Sequence, residues 1–137
     1  MKKSRFVEPG DFLLTNSMSF GKPFIMKTSG CIHDGWLLIR YNKKILKQDY
    51  LYYLLSSRYV YNSFKASTQG AVVQNLNIDK VKSTIIPIPP LEEQNEIIEK
   101  IEFLIQKCDQ LEAEIKKRES NAKMLMQSVL QEAFNNQ

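Results

Sequence analysis

The side chains best suited to covalent or metal chemistry are few: Cys31, Cys108 and a single histidine, His33, which is followed by Asp34. Cysteine–histidine catalysis needs the two groups to converge in a pocket. Two residues apart on a strand, Cys31 and His33 merely share a face, so His33 reads as a loop or packing histidine. There is no CxxC pair and no second histidine at ligand spacing, so neither a zinc site nor a disulfide framework is expected. The two cysteines read as buried or half-buried free thiols. Nor does the sequence carry a glycine-rich phosphate loop with its lysine, a methyltransferase Asn/Asp-Pro-Pro-Phe/Tyr tetrad, or a nuclease cluster of spaced acids and lysine. No catalytic residue, metal ligand or cofactor site is assigned.

What remains is charge. Residues 1–90 carry 13 Lys+Arg against 5 Asp+Glu, a net +8, and residues 91–137 carry 6 against 10, a net −4. The overall +4 therefore hides a basic part able to face a polyanion and an acidic part that is not. The boundary is Ile85-Ile86-Pro87-Ile88-Pro89-Pro90, followed by Leu91-Glu92-Glu93-Gln94. Prolines cannot donate to a sheet ladder, so an edge segment is expected there. Pro90 suits the first turn of a helix, and Glu92, Glu93 and Glu96 favour its positive end.

From Leu91 to about Phe134 the chain has neither glycine nor proline. Ile101, Cys108, Ile115, Ala122 and Val129 recur every seven residues. Ile97, Leu104, Leu111 and Leu125 form the matching register, breached by Arg118 and widened by Ile98, Ile105 and Met126. A helix of roughly 43 residues is about 65 Å long, more than one small lobe can cover. Its stripe therefore needs another helix, and self-association or a partner is expected. The alternative is a helix folded back near Glu119-Ser120-Asn121.

The first part reads as mixed α/β. Strands are predicted at Phe12–Thr15, Phe24–Met26, Trp36–Tyr41, near Val72-Val73 and over Thr84–Ile88. One helix is predicted over Lys47–Ala66, anchored at Asp49 and burying Leu51, Leu54, Leu55, Tyr59 and Phe64. A turn of helix is predicted over Ile78–Val81. Five of the six tyrosines (Tyr50, Tyr52, Tyr53, Tyr59, Tyr61) fall on the longer helix. Packing explains them better than base stacking. No apolar run reaches the roughly 18 residues of a membrane span, and no signal-peptide core follows the basic start, so a cytoplasmic protein is expected.

Several stretches resemble the DNA specificity subunits of type I restriction–modification systems. Gly10-Asp11-Phe12-Leu13-Leu14-Thr15 looks like the strand opening the second portion of their target-recognition domains. Gly70–Leu76 and Ile78–Val81 look like the loop and short helix before the closing strand. Pro89-Pro90-Leu91-Glu92-Glu93-Gln94 is close to the family's Pro-Pro-Leu-x-Glu-Gln start of a long spacer helix, and Leu125, Gln127–Leu130 and Glu132–Phe134 look like its end. The resemblance implies an α+β architecture. A partial target-recognition lobe over 1–90 would precede a spacer helix over 91–137, which pairs as an antiparallel coiled coil.

It further implies a non-catalytic subunit that binds double-stranded DNA, docks a methyltransferase subunit and, having one helix, forms a homodimer. The stripe Ile97, Ile101, Leu104, Cys108, Leu111, Ile115, Ala122, Leu125 and Val129 would be the dimer interface. Lys22, Lys27, Lys43, Lys44, Lys47 and Lys65 are candidates for phosphate contact. Gln69, Gln74, Asn75 and Asn77 have side chains suited to adenine edges. Recognition domains of the family carry several dozen more residues before the Gly-Asp strand, where this chain has nine. The alternative reading is therefore a shortened assembly module with no DNA affinity of its own.

Overall fold

The computed structural model describes residues 5–17, 20–68 and 75–135. Five short strands come first: β1 (Arg5–Val7), β2 (Phe12–Thr15), β3 (Pro23–Ile25), β4 (Gly30–Ile32) and β5 (Trp36–Ile39). They form an antiparallel β1–β4 ribbon and an antiparallel three-stranded sheet ordered β3-β2-β5. The strand predicted at Phe12–Thr15 is β2, and those at Phe24–Met26 and Trp36–Tyr41 correspond to β3 and β5. The ribbon strands β1 and β4 were not foreseen, because Arg5–Val7 and Gly30–Ile32 are too short and mixed to show a period. The strand expected near Val72-Val73 lies outside the described residues.

The Gly10-Asp11 opening has a physical basis. Glu8-Pro9-Gly10-Asp11 closes a turn in which the Asp11 amide donates to the Glu8 carbonyl at 3.0 Å and Gly10 sits at φ +89°. Proline at the second position suits a type II turn, whose third position has the positive φ that glycine supplies. The Asp11 carboxylate accepts from the Glu8 amide at 2.9 Å. Directly after it, all four residues of β2 are buried, as befits a central strand covered on both faces.

The helix predicted over Lys47–Ala66 is two helices, α1 (Gln48–Ser56) and α2 (Arg58–Ser67). Ser57, at φ −70° and ψ 150°, breaks the helix, and its Oγ accepts from the Val60 amide at 3.3 Å. A serine that caps the next helix competes with continuing the first. The break also resets the phase: Leu51 and Leu55 are buried in α1, but Val60 and Phe64 in α2. Tyr59, expected on the apolar face, is instead 60% exposed. Asp49 lies in the first turn of α1 and does not cap it; the cap residue is Lys47, which makes no side-chain capping bond.

The core joins Phe12, Leu14 and Leu37 of the sheet to Leu46, Tyr50, Leu51, Leu55, Val60, Phe64 and Leu76. A short α3 (Ile78–Lys82) follows, as predicted, capped by Asn77. The strand expected over Thr84–Ile88 does not form. Pro87 has no amide to give a ladder, and the segment is held by side chains: Ile86 packs on the core and the Tyr50 hydroxyl donates to the Pro87 carbonyl at 3.1 Å. Ile85 points away, 83% exposed.

The last helix, α4, runs without interruption from Leu91 to Asn135, 45 residues, so the chain does not fold back near Glu119–Asn121. Pro90 precedes it rather than entering its first turn, and its carbonyl accepts the first helical bond from the Gln94 amide at 3.0 Å. The chain divides into two compact units, Met1–Ile98 and Glu99–Gln137, so the first two turns of α4 belong with the lobe.

Candidate functional site

The start of α4 is fixed to the lobe through one side chain. Gln94 is fully buried. Its Oε1 accepts from the Lys47 amide at 2.9 Å, and its Nε2 donates to the carbonyls of Ile45 at 2.9 Å and Pro89 at 2.8 Å. A buried amide is tolerable only with its donors and acceptor satisfied, and Gln94 meets that condition with backbone groups alone. The Lys47 ammonium donates to Asn95 Oδ1, so this lysine serves the same junction. Ile97 and Ile98 pack on the lobe's core.

The remaining basic candidates are exposed and scattered over loops and helix ends. Lys22 lies in the β2–β3 turn, where its amide donates to Thr15 Oγ1 at 2.9 Å. Lys27 follows β3, and Lys43 and Lys44 sit side by side between β5 and α1, with the Lys44 amide bonded to Asn42 Oδ1 at 3.0 Å. Lys65 is in the last turn of α2, where a cation complements the helix dipole. Asn75 and Asn77 are exposed before α3. Asn77 already uses its Oδ1 to cap that helix, accepting from Lys80 N at 2.9 Å, and the Asn75 carbonyl accepts from Lys80 Nζ at 3.4 Å. Gln69 and Gln74 lie outside the described residues.

One concavity of the lobe gathers groups that sequence reasoning did not combine. A cleft of roughly 970 Å³ lies between the β2–β3 turn and the α1–α2 junction, lined by Phe20, Gly21, Lys22, Pro23, Phe24, Tyr52, Leu55, Ser56, Arg58 and Tyr61. Its turn wall is held closely: Gly21 has φ +70°, and a Cβ there would meet the Phe64 ring at 2.9 Å. Phe20 packs edge-on to Tyr61 at 6.3 Å and Phe24 edge-on to Trp36 at 5.3 Å. Arg58 enters the cleft because Ser57 restarts the helix, so the Ser-Ser-Arg step was the available signal. Of the tyrosines, Tyr50 is core, where burial and then the nearby Glu93 charge raise its pKa above the ordinary value. Tyr41, edge-on to Phe12, is raised likewise by burial and by Asp49.

Along α4, Leu104, Leu111, Ile115, Leu125 and Val129 are each 51–67% exposed. Cys108 and Ala122 are exposed with them, and Ile101 is half-buried. Further apolar groups, Met124, Met126, Leu130 and Phe134, are exposed towards the end of the helix. Both thiols are exposed, contrary to expectation. Cys31 sits on a two-stranded ribbon too small to cover it, and Cys108 lies on the open stripe. His33 lies in a turn, where its Nδ1 accepts from the Gly35 amide at 2.9 Å. No helix among the described residues is long and apolar enough to cross a membrane.

Comparison with known proteins follows the same outline. Residues 2–118 match the family described as the type I restriction modification DNA specificity domain. The chain is 27% identical over 135 residues to the type I restriction enzyme EcoBI specificity subunit of Escherichia coli, spanning 97% of this chain and 28% of that protein. A chain from a structure of a type I R-M system, solved to explain complex assembly and conformational transition, superposes with a TM-score of 0.73. It shares 25% identity over 95% of this chain and 32% of that one. The HsdS subunit from Thermoanaerobacter tengcongensis shares the fold, with a TM-score of 0.76 and 24% identity over 92% of this chain and 34% of that one. The chain thus spans about a third of the length of these relatives.

Proposed function

The chain belongs to the type I restriction–modification DNA specificity family, and from that premise we propose that it is a DNA sequence-recognition subunit, or a piece of one, in a type I restriction–modification complex. The family is a specificity family and not a catalytic one, so recognition and docking are the activities to account for. The family match over residues 2–118, which takes in the lobe and more than half of α4, carries the reading. Duplex DNA lies against the basic lobe, where Lys22, Lys27, Lys43, Lys44 and Lys65 offer exposed charge to phosphates. The recognition lobe comprises residues 1–90 and the spacer helix residues 91–137.

The exposed stripe from Leu104 to Val129 is the dimer interface. It pairs with the same stripe of a second copy as an antiparallel coiled coil and presents the assembly to a methyltransferase subunit. Burying a leucine or valine of this size stabilises by about 1.5–3 kcal/mol, so five such residues per helix supply an ample drive. The complex works in the cytoplasm.

A second reading is an assembly module without DNA affinity, favoured by the internal engagement of the Lys47 ammonium with Asn95 and of the Asn77 side chain with the α3 cap. Sedimentation of the chain, alone and with random-sequence duplex at two salt concentrations, separates them. The first reading expects a dimer that co-sediments with duplex at low salt and releases it as salt rises. A folded dimer indifferent to duplex supports the second, and a stable monomer overturns the helix pairing.

A further inference from the structure

The cleft between the β2–β3 turn and the α1–α2 junction combines three properties of a ligand site. Its volume of roughly 970 Å³ is at the upper end of the range of about 300–1,000 Å³ that small-ligand pockets occupy. Its lining includes two cations, Lys22 and Arg58, and no acid. Neither cation has a carboxylate partner among the described residues. Three aromatic rings of the lining remain substantially open: Tyr52 at 38%, Phe24 at 43% and Tyr61 at 44% exposure.

Those rings are oriented before any ligand arrives. Phe24 is braced by Trp36 and Tyr61 by Phe20. The cation-bearing turn is fixed by the Lys22 amide bond to Thr15 and by the packing of Gly21 on Phe64. Ordering cost on binding is correspondingly small. Arg58 is the first residue of the ten-residue α2, whose dipole adds positive potential at the same spot.

An anion alone would leave the aromatic rings unused, and an apolar ligand would leave two desolvated cations unmatched. A phosphate joined to an aromatic base satisfies both. We propose that this cleft binds an unstacked nucleotide of a DNA strand, with the phosphate at Lys22 and Arg58 and the base against Tyr52, Phe24 and Tyr61. The site shares Lys22 with the duplex surface proposed above but takes a different form of DNA, because a paired and stacked base cannot lie flat against a side-chain ring. Single-stranded or locally opened DNA is therefore its substrate.

The test is fluorescence-anisotropy titration of the full chain with short oligothymidylate, an abasic strand of equal length and a duplex. It compares wild type with Tyr52→Ala, Tyr52→Phe, Arg58→Ala and, as an exposed tyrosine outside the cleft, Tyr59→Ala. Circular dichroism establishes that each variant is folded. Oligothymidylate should bind more tightly than the abasic strand. Tyr52→Ala should weaken it roughly tenfold or more, Tyr52→Phe should restore it, and Tyr59→Ala should leave it unchanged. Arg58→Ala should weaken it by a factor that shrinks as salt rises.

Equal binding of the abasic strand, or indifference to Tyr52→Ala in a folded variant, overturns the site. So does a wild-type chain that ignores single strands. The duplex arm keeps the two proposals apart: duplex binding without single-strand binding removes this one alone, and the reverse removes only the duplex reading.

Discussion

Replacing Gln94 by leucine tests whether one buried amide fixes the start of α4 to the lobe. Leucine nearly matches the volume but strips three backbone groups of their partners: the Lys47 amide and the carbonyls of Ile45 and Pro89. A buried polar group left unsatisfied costs about 1–3 kcal/mol. Part of that returns through relaxation and the added apolar contact, so a net loss of about 3 kcal/mol is expected. Against a total stability of roughly 5–15 kcal/mol for a domain, this is a large fraction.

Glutamate at the same position gives the argument a sign. It keeps the acceptor for the Lys47 amide but sets a carboxylate oxygen against two carbonyls. Burial raises the carboxyl's folded pKa above its unfolded value of about 4.3. A group whose folded pKa is raised loses its stabilising share as pH climbs past the unfolded value. Gln94→Glu should therefore be mild near pH 4 and increasingly harmful towards neutrality. Urea denaturation followed through Trp36, the single tryptophan, at fixed protein concentration, gives both numbers. A Gln94→Leu midpoint corresponding to less than about 0.5 kcal/mol of loss would refute the reasoning, since that is the scale of an ordinary surface substitution. So would a Gln94→Glu penalty that does not change with pH.

Four further outcomes are expected. Tyr50→Phe should cost about 1 kcal/mol at neutral pH through the orphaned Pro87 carbonyl. Because the folded Tyr50 pKa is raised, wild type should lose stability as pH rises above about 10 and Tyr50→Phe should lose less, as urea midpoints on either side of that pH will record. Gly21→Ala, at φ +70° with a Cβ 2.9 Å from the Phe64 ring, should destabilise by about 2 kcal/mol in thermal melts. Gly10→Ala, at φ +89° with open space around it, should cost about 1 kcal/mol from backbone strain alone. Leu111→Asp, on the open α4 stripe at 60% exposure, should convert a dimer to a monomer in sedimentation, while the lobe's tryptophan signal stays unchanged.

Much of this protein can be read from the chain itself, because the relevant forces act over short sequence distances. The seven-residue recurrence from Ile97 to Val129, free of glycine and proline, dictates a long helix with one apolar face wherever it sits. The four-residue run Phe12–Thr15 after a Pro-Gly turn dictates a buried strand, and the split of charge at Pro90 separates a basic part from an acidic one. Single residues with competing options are less legible. Ser57 could lie inside a helix or cap the next, and only the burial of Val60 and Phe64 in place of Tyr59 decides it. Thr84–Ile88 has strand-like alternation, but a strand needs a ladder partner, and the segment is held by Tyr50 and the core instead. Gln94 reads as an ordinary polar residue of a first helical turn until Ile45, Lys47 and Pro89 are brought around it. The cleft is assembled from residues 20–24 and 52–61, whose meeting depends on how the β2–β3 turn packs on Phe64. Local periodicity records what each segment prefers, whereas shared hydrogen bonds and shared cavities exist only once distant segments have met.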